Sequence, residues 1–228
     1  MTAKLKIDVS DTEERVNGDG SAVSALAGKL SEVFRTEVPG AHCRVDGAAF
    51  RDVMASLPTA VSVVTAIDPD GSPRGLTCSA VCSVSADPPQ VLVCINQRNG
   101  SLAAIRHSGA FVVNVLGSTS ANLSDQFASS AAEKFVDVEW RPAPNSGLPV
   151  LDGSAHAFID CELTADITAG SHSILVGAVQ ACGTDIDSMH PLLYWRRAYG
   201  TWLQHEEETP AGNSDIQHQG EPHDRTAE

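Results

Sequence analysis

Four hydroxyl side chains recur at odd-numbered positions in a stretch rich in small and β-branched residues. They are Thr77, Ser79, Ser83 and Ser85. In one extended strand alternate side chains share a face, so these hydroxyls would line one side of the strand. Small hydroxyl groups let a planar ring approach the backbone and can donate hydrogen bonds to ring carbonyls or phosphate. The row predicts either a surface for a flat, phosphorylated ligand or a half-exposed strand with its polar face toward water.

The opposite face of the same stretch is apolar and is expected to pack into a core. Its members are Leu76, Cys78, Ala80, Cys82 and Val84. Val81 is the one apolar residue on the hydroxyl side. This division predicts a single strand from Gly75 to Ser85.

Several common catalytic and nucleotide-binding motifs are absent from the chain. There is no GxxxxGKS loop, and no GxGxxG follows a strand and opens a helix. The GxSxG elbow of acyl-transfer enzymes is also missing. No nucleophile or acid–base pair stands out in the sequence.

Six motifs in order resemble the short-chain flavin reductases of two-component flavin-dependent monooxygenases, over about residues 48–200. With the family's pattern in brackets, they are Phe50-Arg51 and Pro58 to Thr65 (FR…PTGVxVVT), Gly75 to Pro89 (GxTxxSFxSVSxxPP), Asn99 to Leu116 (S…I…SGxFxVNVL), Gln126 to Phe135 (FA…KF), Gly170-Ser171-His172 (GDH) and Pro191 to Tyr194 (PLLY). Tyr199 stands where the family has a late aromatic residue. The chain departs from the pattern at Ser171 (Asp in the family), Val81 (Phe) and Ala60 (often Gly).

The resemblance implies a mainly β fold: a split β-barrel of the Greek-key, FMN-binding type with short peripheral helices. It also implies a homodimer with flavin at the subunit interface. The flavin contacts it places by position are Pro58, Thr59, Ala60, Thr77, Cys78, Ser79, Ser83, Ser85, Asn99 and Ser101. Thr77 and Ser79 would lie near the isoalloxazine. The ribityl and phosphate groups would be held by Ser83, Ser85, Asn99 and Ser101. Lys134 would add a cation for phosphate from the neighbouring subunit, or would be a solvated surface lysine.

The same resemblance places nicotinamide contacts at His172 and Tyr199. A histidine can donate a hydrogen bond to a carboxamide or pyrophosphate, and a tyrosine can stack or hydrogen-bond. His172 could instead be an ordinary residue at a strand end. Hydride transfer from nicotinamide to flavin needs stacking geometry and dryness more than reactive side chains, so we expect no catalytic residue.

The function predicted is an NAD(P)H:flavin oxidoreductase that reduces FAD or FMN with NADH or NADPH and supplies reduced flavin to a partner monooxygenase. An alternative is a flavin-binding carrier or sensor without nicotinamide turnover, which Ser171 favours. A third is a barrel oxidase acting on an amine such as a pyridoxine phosphate, which would need a basic phosphate pocket. The basic residues of the folded region look too dispersed to form one: Arg44, Arg51, Arg74, Arg98, Arg106, Lys134, Arg141, Arg196 and Arg197.

Many strands and few short helices must position these residues, a pattern that favours an antiparallel barrel. Predicted strands are 60–67, 75–85, 91–95, 111–116, 157–167, 174–182 and 192–195, with short helices at 51–55, 102–107 and 123–129. The sequence Asp68-Pro69-Asp70-Gly71 predicts a turn between the first two strands.

Composition divides the chain into three parts. Residues 1–40 form an extension, expected to be disordered to residue 20, with an amphipathic helix at about 21–38. Residues 41–205 form the flavin reductase-like domain. Residues 206–228 hold seven acidic residues and one arginine, hence −6 of the formal charge of −14, and are expected to be disordered.

The charge and the apolar segments limit the partners and the location of the protein. An acidic chain without a Lys/Arg cluster is not expected to bind nucleic acid or an anionic membrane. Without a long apolar segment or a signal peptide, the protein is predicted to be cytoplasmic. The six cysteines show no CxxC pair and are expected to be reduced, small apolar residues.

Overall fold

A computed structural model describes residues 45–184 and 190–202. The chain divides into two compact units, Met1–Phe50 and Arg51–Glu228, and only residues 45–50 of the first are described. The sequence predictions for residues 1–20, 21–38 and 206–228 lie outside the described residues. Within the described ranges, no helix has the length and apolar character needed to cross a bilayer.

The described residues form three short helices and twelve strands. The helices are α1 (Gly47–Met54), α2 (Ser101–Ser108) and α3 (Ala121–Ala128). The strands are β1 (Thr59–Ala60), β2 (Ser62–Ile67), β3 (Pro73–Cys78), β4 (Val81–Ala86), β5 (Pro89–Asn96), β6 (Ala110–Leu116), β7 (Trp140–Pro142), β8 (Pro149–Leu151), β9 (Ala155–Ala169), β10 (His172–Thr184), β11 (Leu192–Trp195) and β12 (Ala198–Thr201). The predicted Asp68–Gly71 turn joins β2 to β3, with Gly71 at φ +84° and its N–H bonded to the Asp68 carbonyl.

The largest sheet has seven antiparallel strands in the order β3-β2-β6-β9-β10-β5-β4. Its two outermost strands are consecutive in the chain and are joined only by Ser79 and Ala80. A flat seven-stranded sheet is roughly 29 Å wide, whereas the step from Cys78 to Val81 spans at most about 11 Å. The sheet must therefore curl until its edges meet. The result is a barrel that is split between β3 and β4. This confirms the split β-barrel that the resemblance implies, although the sequence did not predict the position of the split.

The prediction of one strand over 75–85 is wrong in two respects. The chain leaves the first edge of the sheet at Cys78 and joins the other edge at Val81. A bulge then interrupts β4, where Ser83 pairs with Val91 but Ser85 pairs with Gln90. Because Gln90 and Val91 are neighbours and point to opposite faces, the two serines do so too. The four hydroxyls therefore do not share one face.

The apolar face predicted for the same stretch is also only half buried. Leu76 and Cys78 are buried in the barrel, whereas Ala80, Cys82 and Val84 are exposed. The second half of the stretch lies on the outermost strand, where one side has no strand beside it in the sheet. Periodicity alone could not show this change of environment.

Strand β2 is buried on both faces and separates two apolar clusters. Val64 belongs to the barrel interior, which α2 also covers with Leu102 and Ile105. Its neighbour Val63 belongs to a second cluster beneath α3, together with Phe127. The strand thus fixes α2 and α3 relative to the barrel, and both helices line the site described below.

Asn114 in β6 is a fully buried polar residue whose hydrogen bonds join three strands. Its amide nitrogen donates to the carbonyl of Val63 and to Oγ1 of Thr65, at 3.2 and 3.1 Å. Its side-chain oxygen accepts the N–H of Leu151 at 2.9 Å. The side chain thereby supplies bonds that the backbone ladder cannot make where β8 crosses β2 and β6.

Candidate functional site

A cavity of about 560 Å³ lies between strand β3, the loop before α2 and the loop after α3. Three of the sequence-predicted site residues line it together: Asn99, Ser101 and Lys134. Arg74 and Arg98 line it as well. The sequence positions of the basic residues suggested that they are too dispersed to form a phosphate pocket. That prediction is wrong. The fold brings three cations to one cavity within a single chain.

The three cations differ in how far they are already engaged. Arg74 bonds to the carboxylate of Asp68 and, at 3.1 Å, to the carbonyl of Ala132. Arg98 lies in the loop before α2 and is exposed. Its guanidinium makes no hydrogen bond or ion pair with the described residues. Arg98 is therefore free to meet an anion, whereas Arg74 chiefly holds the loop that forms one wall.

Lys134 is half-buried and its ammonium donates a 2.9 Å hydrogen bond to the Phe127 carbonyl, near the C-terminal end of α3. Partial burial lowers the pKa of this lysine. The ammonium has two further protons to offer an anion. Lys134 is thus not a freely solvated lysine, and it lines the same chain's cavity as Asn99 and Ser101. A contact between Lys134 and a flavin phosphate of the neighbouring subunit stays a prediction.

Gln126 fixes the chain on both sides of Lys134. Its amide donates to the carbonyl of Lys134 at 2.9 Å and to that of Val136 at 3.0 Å. Phe135, between these two residues, packs edge-on against Phe127 with ring centroids 5.0 Å apart. The position of the cation is therefore set by α3.

Asn99 and Ser101 shape the loop that enters α2. The Asn99 side-chain oxygen accepts the N–H of Ser101 at 3.0 Å, which leaves its amide N–H groups for a ligand. The Ser101 hydroxyl is buried and donates to the carbonyl of Gly75 at 3.0 Å. In this geometry Ser101 ties α2 to β3, and its proton is not directed at the cavity.

Thr77 and Cys78 end strand β3. The Thr77 hydroxyl donates to the carbonyl of Ser124 in α3 at 2.5 Å. Cys78 is buried in the barrel core, so only its backbone can meet a ligand, and burial raises the pKa of its thiol. Both residues anchor β3, and the hydroxyl that was expected near a ring is bonded to α3.

Ser79, Ser83 and Ser85 lie beyond the break in the strand. Ser79 is exposed in the link, and Ser83 is exposed on β4. Ser85 accepts the N–H of Asp87 at 3.2 Å, just before a cis Asp87–Pro88 bond. None of the three lines the 560 Å³ cavity.

Pro58 and Tyr199 line a second, mostly apolar groove of about 310 Å³ on the three-stranded sheet β1-β11-β12. Thr59 and Ala60 form β1 of that sheet, paired with Tyr194 and Leu193. The phenol of Tyr199 donates to Asp125 at 2.7 Å and lies 3.0 Å from the Ser124 hydroxyl. Burial is the main cause that raises the pKa of Tyr199, and the nearby Asp125 carboxylate also raises it.

His172 is exposed at the start of β10 and lies opposite Asn96, the last residue of β5. Its Nδ1 lies 3.0 Å from the Ser171 hydroxyl. The neighbouring Gln97 N–H bonds to the Ser171 carbonyl at 3.0 Å. His172 therefore flanks the chain leading to Arg98 and Asn99. Tyr199, in contrast, belongs to a different sheet.

Sequence reasoning missed Arg98 and Arg74 as residues that line the cavity, and Asp125 as the partner of the Tyr199 hydroxyl. Arg98 could have been found, because it directly precedes the Asn99-Gly100-Ser101 motif. Arg74 and Asp125 offered no such indication. Arg74 reaches the loop at Ala132 across 58 residues, and Asp125 meets Tyr199 across 74.

Comparisons with known proteins identify the family of this chain. The model of the family described as "Flavin reductase like domain" matches residues 54–203. The chain is 45% identical over 163 residues to "Flavin reductase (NADH)" of Kitasatospora aureofaciens, covering 72% of this chain and 85% of that protein. It is 38% identical over 164 residues to "Flavin reductase (NADPH)" of Lentzea aerocolonigenes, covering 72% and 94%.

A solved structure gives the same fold. The crystal structure of the nitrilotriacetate monooxygenase component B homolog from Mycobacterium thermoresistibile matches with a TM-score of 0.64 and 31% identity, covering 74% of this chain and 97% of that chain. The family match spans well over half of the sequence, and it includes both the cavity and the groove. The resemblance found in the motifs is confirmed, and this chain belongs to the flavin reductase-like domain family.

Proposed function

We infer that the protein is an NAD(P)H-dependent flavin reductase that supplies reduced flavin to a partner monooxygenase. The observation that carries this inference is the cavity in which Arg98 and Lys134 converge beside Asn99. Two cations with free donors and an amide match the oxygens of a flavin phosphate. The relatives named NADH and NADPH flavin reductases, and the solved monooxygenase component, support the reaction and the partner.

The hydrogen-bond donors that line the cavity fit a flavin nucleotide. The charged phosphate of such a nucleotide and its flat ring need different surroundings. We propose that Lys134, Arg98 and Asn99 hold the phosphate, and that the backbone of β3 near Thr77 and Cys78 and the Ser79 link approach the ring. Pro58, Thr59 and Ala60 would border the ring from the small sheet. When bound, the flavin accepts the hydride that the nicotinamide supplies.

The chain's own contribution to this step is binding, orientation and exclusion of water. The two ring systems must stack with reacting atoms roughly 3–3.5 Å apart. We propose that Tyr199 and the apolar groove beside Pro58 bound the nicotinamide, and that His172 donates a hydrogen bond to its carboxamide or pyrophosphate. No side chain is required to become a nucleophile or to carry a proton.

We further propose a homodimer with flavin at the interface. Strand β4 supports this, because Ser83 and Val84 are exposed in a single chain although the strand carries motif residues. A second copy lying on this strand would cover Val84 and bring Ser83 or Ser85 toward a flavin. The cytoplasmic location and the domain boundaries at residues 41 and 205 remain predictions from the sequence.

The test is steady-state oxidation of NADH and of NADPH, each with FAD, FMN and riboflavin in turn. We expect turnover with at least one flavin nucleotide, and an anaerobic stopped-flow trace in which flavin absorbance bleaches on mixing. A protein that binds flavin tightly but never bleaches it would be a carrier or sensor, and the proposal would be wrong. The same matrix identifies which flavin and which nicotinamide the protein prefers.

A further inference from the structure

We propose that Asp125 is a positioning residue for nicotinamide binding, acting through Tyr199. This inference rests on the proposed function, because it assigns the 310 Å³ groove beside Tyr199 to the nicotinamide ring. Neither the motifs nor the sequence pattern points to Asp125. It lies on α3, whereas Tyr199 lies on β12 of the small sheet.

The geometry fixes the direction of the phenol. Tyr199 lies on the wall of the groove, and its hydroxyl reaches α3 to contact the Asp125 carboxylate at 2.7 Å and the Ser124 hydroxyl at 3.0 Å. A carboxylate can only accept, so Tyr199 must be the donor in the shorter bond. Its proton is therefore directed away from the groove.

This assignment decides between the two roles open to a tyrosine in such a site. With its proton held by Asp125, Tyr199 presents its ring to a ligand and does not donate a hydrogen bond to it. The ring is tilted by 58° against that of Tyr194, with centroids 5.3 Å apart. Releasing the phenol would let the ring turn and change the wall of the groove.

Helix α3 also links the two halves of the site. Ser124, next to Asp125, accepts the Thr77 hydroxyl through its backbone carbonyl at 2.5 Å. One turn of helix thus contacts both the strand proposed to lie under the flavin and the tyrosine proposed to bound the nicotinamide. Asp125 would thereby hold Tyr199 in a fixed position relative to strand β3.

The experiment compares Asp125→Ala, Asp125→Asn, Tyr199→Phe and the double variant Asp125→Ala/Tyr199→Phe. Loss of a partly exposed, charge-assisted hydrogen bond should raise the KM for the nicotinamide about three- to tenfold in each single Ala or Phe variant. The flavin Kd and kcat at saturating nicotinamide should stay within about twofold. The double variant should be no worse than either single one, because both remove the same contact. Asn122→Ala, an exposed change on the same helix, is the matched control.

A second readout does not depend on activity. The chain has only two tyrosines, Tyr194 and Tyr199, so an ultraviolet pH titration resolves them once Tyr199→Phe has assigned the steps. Among residues 45–184 and 190–202, Asp125 and Tyr194 are the ionisable groups that act on Tyr199. Asp125→Asn removes a negative charge but keeps an acceptor. It should therefore lower the Tyr199 pKa, and its nicotinamide KM should lie between those of the wild type and Asp125→Ala.

The outcomes separate the two proposals. A wild-type protein that oxidises no nicotinamide with any flavin overturns the proposed function. An active wild type whose nicotinamide KM is unchanged in Asp125→Ala overturns the positioning role alone. So does a double variant in which the two effects multiply, since Asp125 would then act independently of Tyr199.

Discussion

Gly75 lies directly against the ring of Phe127. A Cβ built on Gly75 would lie 2.6 Å from Cε1 and 2.8 Å from Cδ1 of that ring. Phe127 is fully buried in the cluster beneath α3, and Phe135 packs edge-on against it. The absence of a side chain at Gly75 therefore lets α3 approach β3, and this approach forms the wall between the cavity and the core.

Gly75→Ala should destabilise the protein by about 1–3 kcal/mol, because the buried ring has little room to shift. The measurement is the midpoint of chemical unfolding. Gly100→Ala is the control for stability, since a Cβ at Gly100 meets nothing within 4 Å. Equal stability of the two variants would show that Phe127 can move, and that its packing does not fix α3.

Lys134→Met should weaken the binding of FMN or FAD about tenfold and leave riboflavin unaffected, because riboflavin carries no phosphate. The tenfold figure corresponds to about 1.4 kcal/mol, somewhat above the value of a fully exposed ion pair because Lys134 is half-buried. Fluorescence titration with the three flavins measures it. An equal loss for riboflavin would mean that Lys134 shapes the loop and does not bind phosphate.

The affinity for FMN should fall with rising pH earlier than an ordinary lysine would require. Burial lowers the pKa of Lys134, so the ammonium is lost at a lower pH than that of a free lysine. Lys134→Arg keeps its charge throughout this range and should abolish the pH dependence. Binding measured from neutral to alkaline pH tests this. A decline that persists in the arginine variant would exclude Lys134 as its cause.

Asn114→Ala should cost about 3 kcal/mol or more of unfolding free energy. The change leaves the Leu151 N–H and the Val63 carbonyl without the partners they have in the buried interior. Asn145→Ala, at an exposed position, is the control and should cost much less. Thermal and chemical unfolding of both variants give the comparison, and similar losses would contradict the structural role.

His172→Ala should raise the KM for NADH about three- to tenfold while flavin affinity is retained. The imidazole is exposed, and among the described side chains it is hydrogen-bonded only to the Ser171 hydroxyl, so its removal should leave the barrel intact. His107→Ala is the control, because His107 is an exposed histidine at the end of α2. A collapse of flavin affinity with an unchanged NADH constant would refute the nicotinamide role.

Seven strand regions and the family could be predicted from the sequence, because both depend on local patterns that extend over many residues. Strands β7, β8 and β12 were missed, since they are only three or four residues long. The turn at Asp68–Gly71, the short helices and strands such as β6 and β11 form where the pattern placed them. The bulge at Val84 could not be predicted. It depends on how β4 meets β5, and one inserted residue reverses every later side chain.

The parts of the site also differed in how predictable they were. Asn99 and Lys134 belong to motifs, so their types and positions indicated a phosphate site before any fold was known. Arg98 and Asn99 are neighbours in the sequence, whereas the approach of Lys134 to these two residues depends on the fold. The contact between Asp125 and Tyr199 depends on the packing of α3 against the small sheet, which no short-range pattern encodes.

The bonds from Gln126 to the loop that carries Lys134 have a consequence for turnover. The loop is already held on both sides of the lysine. The entropy cost of ordering the loop is therefore incurred during folding and not when a ligand binds. A preorganised cation can bind a phosphate quickly and release it without refolding a loop. Such rapid binding and release would benefit an enzyme that must transfer its flavin to another protein in every cycle.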